Sequence, residues 1–304
     1  MRIVVALGGK ALLRRGEPAS LDTQGHNIVG AVAAIAPLRL AGHDIVVTHG
    51  NGPQAGILAL QAASTPDAPY PLDVLDAGNE GMTGYLIEQA LIDALPSHML
   101  VATVLSQVRV DRRDPAFQRP AKPVGPVYGE GEARALAAER GWRVARDGQG
   151  WRRVVACPKP LVILELGAIR MLVDQGVTVI CAAGGGIALI ARQDGSLAGV
   201  GAIIDTDFAS ALLARQLDAD WLLLLTDVDA VYDGFGTAKA QAIAKATPAE
   251  LQARQFAGDS MGPKVEAACE FASATGGRAG IGRLDALAAI LAGKAGTVIA
   301  VARS

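Results

Sequence analysis

Short runs of consecutive apolar residues recur along this chain, each stopped by glycine or a small polar residue. Ile3–Leu7, Asp44–Thr48, Leu100–Leu105, Val177–Ala182 and Trp221–Leu225 have this form. A strand with one wet face alternates apolar and polar positions. These runs stay apolar, which predicts strands covered on both faces of a mostly parallel sheet. Between them, apolar residues repeat at helical spacing over Thr23–Leu40, Pro53–Gln61, Thr83–Ala94, Val162–Asp174, Phe208–Gln216 and Met261–Ala274. The order strand, turn, helix, repeated, predicts right-handed crossovers and a three-layer αβα sandwich. Ligands of such sheets bind beyond the carboxyl ends of the strands, so the turns there are where chemistry is expected.

One stretch breaks the rhythm. Asp111–Pro160 is rich in Pro, Arg, Gly and Trp, including Pro115, Pro120, Pro123, Pro126, Trp142, Trp151, Cys157-Pro158 and Lys159-Pro160. It reads as an inserted, protruding subdomain, since segments this long inside a compact domain are usually functional; a disordered insertion is the alternative.

Composition narrows the partners. A chain of 304 residues that is 51% hydrophobic fills a substantial core. Lys and Arg number 28 against 30 Asp and Glu, a formal charge of −2, so no basic field attracts nucleic acid or anionic lipid. Cys157, Cys181 and Cys269 are odd in number and lack metal-ligand spacing, which predicts reduced thiols and a cytoplasmic setting. Ile3–Leu7 meets Gly8-Gly9 too soon for a signal peptide or a membrane span, so neither secretion nor anchoring is expected.

Three glycine turns follow predicted strands. In Ala6-Leu7-Gly8-Gly9-Lys10-Ala11-Leu12, paired glycines let backbone N–H groups approach an anion such as phosphate, although any tight strand-to-helix turn can use such a pair. Thr48-His49-Gly50-Asn51-Gly52-Pro53-Gln54 is more specific. It opens a helix whose first turn accepts Pro53, and Gly50 and Asn51 present amides to a small carboxylate-like group. His49 ends a buried strand and is read as a structural hydrogen-bonder, outside the catalytic set. Cys181-Ala182-Ala183-Gly184-Gly185-Gly186-Ile187 again offers flexible amides to a phosphate or nucleotide.

Five side chains stand beside these turns. Asp207 begins a helix, either as its N-cap or as an organiser of nearby lysines or magnesium. Asp227 and Tyr232, in Thr226-Asp227-Val228-Asp229-Ala230-Val231-Tyr232, form a lip for an adenosine or are solvated turn residues. Lys264, in Gly258-Asp259-Ser260-Met261-Gly262-Pro263-Lys264, opens a helix, where a cation opposes the dipole unless an anion sits there. Lys122 lies among prolines stiff enough to aim its ammonium, with a solvated lysine as the plainer reading.

Taken in order, Leu7-Gly8-Gly9, His49-Gly50-Asn51-Gly52-Pro53-Gln54, Lys122-Pro123-Val124-Gly125-Pro126, Gly184–Gly186, Asp205–Asp207 and Ser260-Met261-Gly262-Pro263-Lys264 resemble the carbamate kinases over nearly the full length. Tyr70–Leu75, Glu80–Tyr85, Arg152–Val155 and Thr226–Tyr232 agree. The resemblance implies the amino-acid-kinase fold, a homodimer, small-molecule substrates and reversible transfer between ATP plus carbamate and ADP plus carbamoyl phosphate. It also implies Mg2+ with the nucleotide, with no protein metal ligand directly predicted, and a place in arginine or purine-ureide metabolism. Residues 1–200 would form the carbamate and phosphoryl lobe, 111–160 the protruding subdomain within it, and 201–304 the nucleotide lobe. Gly8 and Gly9 would hold the transferring phosphoryl group, and Gly50 and Asn51 the carbamate. Lys122, Asp207 and Lys264 would be catalytic. Gly184, Gly185, Asp227, Tyr232, Met261 and Lys264 would take the nucleotide.

Two positions depart from the family pattern: Lys10 stands where asparagine is usual, and Thr206 where a catalytic lysine is usual. Lys10 is therefore assigned to the catalytic set as a relocated cation. Ala183 and Gly201 also differ, standing where a glycine and a glutamate are usual. The alternatives left open are a nucleotide-binding relative without transfer, and a kinase of another small carboxylate.

Overall fold

The computed structural model describes residues 1–13, 16–18, 20–50, 58, 70–237, 239–256 and 261–302, without the side chain of Lys10. Its centre is an eight-stranded sheet. From edge to edge the strands are Lys245–Ala246, Thr297–Ile299, Arg278–Arg283, Trp221–Thr226, Arg2–Leu7, Asp44–His49, Thr178–Ile180 and Val101–Thr103. Every pairing is parallel except that of Arg278–Arg283 with Thr297–Ile299. The strand Arg2–Leu7 shows why the apolar runs do not alternate. Val4 and Ala6 enter the core on one face of the sheet, while Ile3, Val5 and Leu7 enter the core on the other. The Leu21–Leu40 helix packs Ile28, Ala31 and Ile35 into the second core. Thr206–Gln216 and Met261–Thr275 pack Leu213 and Phe271 into the first. The result is the expected αβα sandwich.

Register then positions the turns. Leu7 is level with His49 on one side and with Leu225 on the other, so three parallel strands end together. Ile180 pairs with Val47, which brings the end of the Thr178–Ile180 strand to the same edge.

Two predicted helices differ. The helix expected over Thr83–Ala94 starts at Leu72, just after Pro71. Gly78, Asn79 and Gly81 lower its intrinsic propensity, but burial of Asp76, Asn79, Glu80 and Thr83 keeps the segment helical. The helix expected over Val162–Asp174 is split. Pro160–Ile163 is a strand paired antiparallel with Gln107–Val110, and the helix is Leu166–Asp174. The predicted Pro53–Gln61 helix lies outside the described residues apart from Leu58.

The Asp111–Pro160 segment is built around its own sheet. Lys122–Tyr128, Gly150–Val155 and Arg143–Asp147 form an antiparallel three-stranded sheet with the Glu130–Arg140 helix against it. Its indole rings are covered by guanidinium groups: Arg134 stacks over Trp151, while Arg140 and Arg153 stack over Trp142. The segment leaves and re-enters the body side by side, because Val110 pairs with Pro160 in a second, four-stranded sheet. Among the described residues no helix is long and apolar enough to cross a membrane.

Candidate active site

Where the three strands end together, the first two glycine turns touch. Gly50 donates its N–H to Leu7 O at 2.8 Å, and Gly8 donates to Leu225 O at 3.1 Å. A Cβ at Gly50 would lie 2.7 Å from Gly9 N, so only glycine allows this approach. His49 is fully buried, and its Nδ1 donates to Gly50 O at 3.1 Å. Burial lowers its pKa to about 4, only partly countered by that bond, so the ring is neutral near pH 7. Its hydrogen bond holds the Gly50 turn.

The charged groups are organised by the start of the Thr206–Gln216 helix. Asp205 caps it: one carboxylate oxygen accepts Asp207 N–H at 3.0 Å, and the other accepts from Lys122 Nζ at 3.0 Å. Asp207 is therefore not the N-cap. Its two oxygens accept from Lys264 Nζ at 2.8 and 3.0 Å, with both side chains largely buried. Burial raises the Asp207 pKa, with Lys264 pulling the other way. For Lys122, burial acts to lower the pKa, but Asp205, with Cys157 and Asp207, outweighs it and the net direction is upward. Lys122 is therefore held as an ammonium ion. A Cβ at Gly8 would lie 3.5 Å from Lys264 Nζ, so that charge sits against the first glycine turn. Cys157 neighbours Lys122 and Asp205, but burial pushes its pKa up, so it is a thiol and a poor nucleophile.

These groups line one cleft of about 680 Å3. Gly8, Gly9, Gly50, Lys122, Asp207 and Lys264 line it, and so do Gly184, Asp227, Tyr232 and Met261. Gly185 is not on the wall. It has φ +95°, and a Cβ there would lie 2.3 Å from Ile204 O, so packing and backbone conformation explain this glycine. Asn51 lies outside the described residues, as does the side chain of Lys10, whose backbone is in the short Gly9–Leu12 helix. Thr206 is on the wall, at the first position of its helix.

Sequence reasoning missed several wall residues. Asp205 had a local signal, as an acid one residue ahead of a helix, but its pairing with Lys122 spans 83 positions. Phe235, Gln255 and Phe256 also line the cleft. The ring of Phe235 is 5.9 Å from that of Tyr232, whose hydroxyl donates to Asp229. No motif marked these residues, because loops bring them to the cleft.

Lysine–aspartate pairs beside closely packed glycine turns, in a cleft with aromatic side chains on its wall, suit an enzyme that positions phosphate-bearing molecules. The comparisons with known proteins agree. The model of the amino acid kinase family matches residues 1–282. A carbamate kinase of Rhizobium meliloti is 52% identical over 302 residues, covering 98% of this chain and 93% of the relative. One from Escherichia coli K12 is 47% identical over 300 residues, covering 98% and 99%. The solved structure of carbamate kinase from Giardia lamblia bound to AMP-PNP superposes with a TM-score of 0.91, at 39% identity and 98% coverage of both chains. The chain belongs to the amino acid kinase family, in its carbamate kinase branch.

Proposed function

We infer that this protein is a carbamate kinase, an ATP-dependent phosphotransferase that interconverts ATP plus carbamate with ADP plus carbamoyl phosphate. The observation that carries the reading is the junction of the Gly8-Gly9 and Gly50 turns, with the Lys264 ammonium against it and Lys122 on the same wall. In the ATP-forming direction, a β-phosphate oxygen of ADP attacks the phosphorus of carbamoyl phosphate. The bond from phosphorus to the carbamate oxygen breaks, and carbamate leaves with the electron pair. No proton transfer is required, which fits a site whose histidine is neutral and buried. Catalysis consists of alignment and charge neutralisation. Gly8 and Gly9 receive the transferring group, Gly50 with Asn51 receives the carbamate, and Lys122 and Lys264 neutralise developing charge. Gly184, Asp227, Tyr232 and Met261 flank the nucleotide.

The local charge balance makes the two family departures important. Lys122 and Lys264 are each matched by an aspartate, so these four groups carry no net charge. Two phosphate-bearing substrates need more cation than that. Mg2+ would bring part of it, held chiefly by substrate phosphates with help from a carboxylate such as Asp207 or Asp227. Among the described residues no group of three or more His, Cys, Asp or Glu side chains forms a metal site, and this donor set suits an ion that arrives on the nucleotide. Lys10, adjoining the Gly8-Gly9 turn, supplies the protein's share in place of Thr206. The protein is further proposed to work in the cytoplasm, in carbamoyl-phosphate breakdown linked to arginine or ureide metabolism. It is proposed to be a homodimer, supported by the exposed Tyr70, Val74, Met82 and Tyr85 on and beside one helix.

The test is ATP formation from ADP and carbamoyl phosphate with Mg2+, in wild type, Lys10→Asn, Thr206→Lys and the double variant. Turnover by wild type, a loss of about a hundredfold or more in Lys10→Asn and recovery in the double variant are expected. A wild type that binds ADP but does not turn over, with activity created by Thr206→Lys alone, would show a binding protein instead.

A further inference from the structure

The Ala182–Gly186 turn that brings Gly184 to the cleft includes one residue, Ala182, in a conformation that a side chain disfavours. Ala182 has φ +48°, unusual for a residue with a side chain, and Gly184, Gly185 and Gly186 have φ +62°, +95° and +89°. The glycines take up such angles readily, but a left-handed alanine persists only where its surroundings over-determine it. The surroundings here are one side chain deep. Ser106 Oγ accepts the Ala182 N–H at 2.8 Å, and Ser106 O accepts the Ile187 N–H at 2.8 Å, so Ser106 grips the turn at both ends. Ser106 is itself held by Glu80 Oε2, which accepts its N–H at 2.8 Å. Glu80 is 2% exposed, and its Oε1 has no partner at hydrogen-bond distance among the described residues.

We propose that Glu80 is a positioning residue for phosphoryl transfer, holding the Ala182–Gly186 turn through Ser106 so that Gly184 meets its ligand. The proposal rests on the reading of the cleft as a nucleotide and phosphoryl site. The charged groups around Glu80 make its protonation matter. Burial raises its pKa well above the ordinary value, the amide of Ser106 opposes this, and Asp76, one turn earlier on the same helix, and Glu165 raise it further, with a smaller opposing contribution from the Ala183 amide. Cys181, behind the turn, is held as a thiol by burial, with Glu80 and Glu165 adding to the effect. Below its folded-state pKa, Glu80 grips Ser106 as a neutral acid. As pH rises through its folded-state pKa, a charge appears beside two other acids, and the gripped turn is disfavoured.

Two readouts test this: ADP binding by calorimetry, and hydrogen exchange of the amides of residues 182–187 in the ligand-free protein. Both are followed from about pH 6 to about pH 10 in wild type, Glu80→Gln and Glu80→Ala, each variant compared with wild type at equal pH. Glutamine keeps the acceptor and cannot ionise. We expect Glu80→Gln to match wild type at neutral pH and to keep its affinity and exchange protection at alkaline pH, where wild type loses about tenfold or more in each. Glu80→Ala is expected to lose about tenfold at every pH. A Glu80→Gln variant that loses protection and affinity at neutral pH, or a folded Glu80→Ala that loses neither, overturns the proposal; the glutamine variant decides even if Glu80→Ala does not fold. A wild type that binds no ADP removes the reading of the cleft instead, and the exchange data then decide the role of Glu80 alone.

Discussion

Asp76 offers a quantitative check on the physics of the long helix. It is 8% exposed, and burial, reinforced by the charge of Asp73, raises its pKa from 3.8 to about 8. The folded protein therefore binds a proton here that the unfolded chain has released, and stability falls as pH rises from about 4 to about 8. Each pH unit in that window costs about 1.4 kcal/mol, so the cost near pH 7 is about 4 kcal/mol. Asp76→Asn keeps the shape and removes the titration. Urea denaturation followed by tryptophan fluorescence should show the variant close to wild type at about pH 4 and more stable by about 4 kcal/mol at about pH 7. The gap should grow steadily between those values and stop growing above about pH 8. A gap that does not change with pH would refute the argument, because no other consequence of the substitution tracks the proton.

Two glycines should separate function from folding. Gly50→Ala places a methyl group 2.7 Å from Gly9 N, forcing the two turns apart at the cleft. It should lower kcat/KM by about a hundredfold at a stability cost of about 1 kcal/mol, smaller than that of Gly185→Ala, as measured by the coupled assay and calorimetry. Gly185→Ala meets the Ile204 backbone at 2.3 Å with φ +95° and should destabilise the fold by about 3 kcal/mol or more, seen as a clear fall in urea midpoint.

Other parts of the chain show what local pattern conveys. The strand Arg2–Leu7 was readable because burial on both faces requires an unbroken apolar run, and the glycines after it because backbone groups must approach closely. The helix Leu72–Ala94 was only half readable. Its first turns carry Asp76, Gly78, Asn79, Glu80 and Gly81, residues that argue against a buried helix, and burial against the Val101–Thr103 strand and the Ala182–Gly186 turn overrides propensity. Asp207 was recognised as important from its place before a helix, yet its role as cap belongs to Asp205 and its partner is Lys264, 57 residues away.

By itself the sequence determined the layered α/β architecture, the turns that touch the cleft and the presence of lysines beside them. These follow from spacing within a few residues, where the periods of helix and strand act directly. The tertiary structure decided which lysine meets which aspartate, that His49 is neutral, that Gly185 serves packing, and that Glu80 reaches the third turn through Ser106. Each of these depends on strand register and burial, and both arise only when distant segments share one sheet and one core.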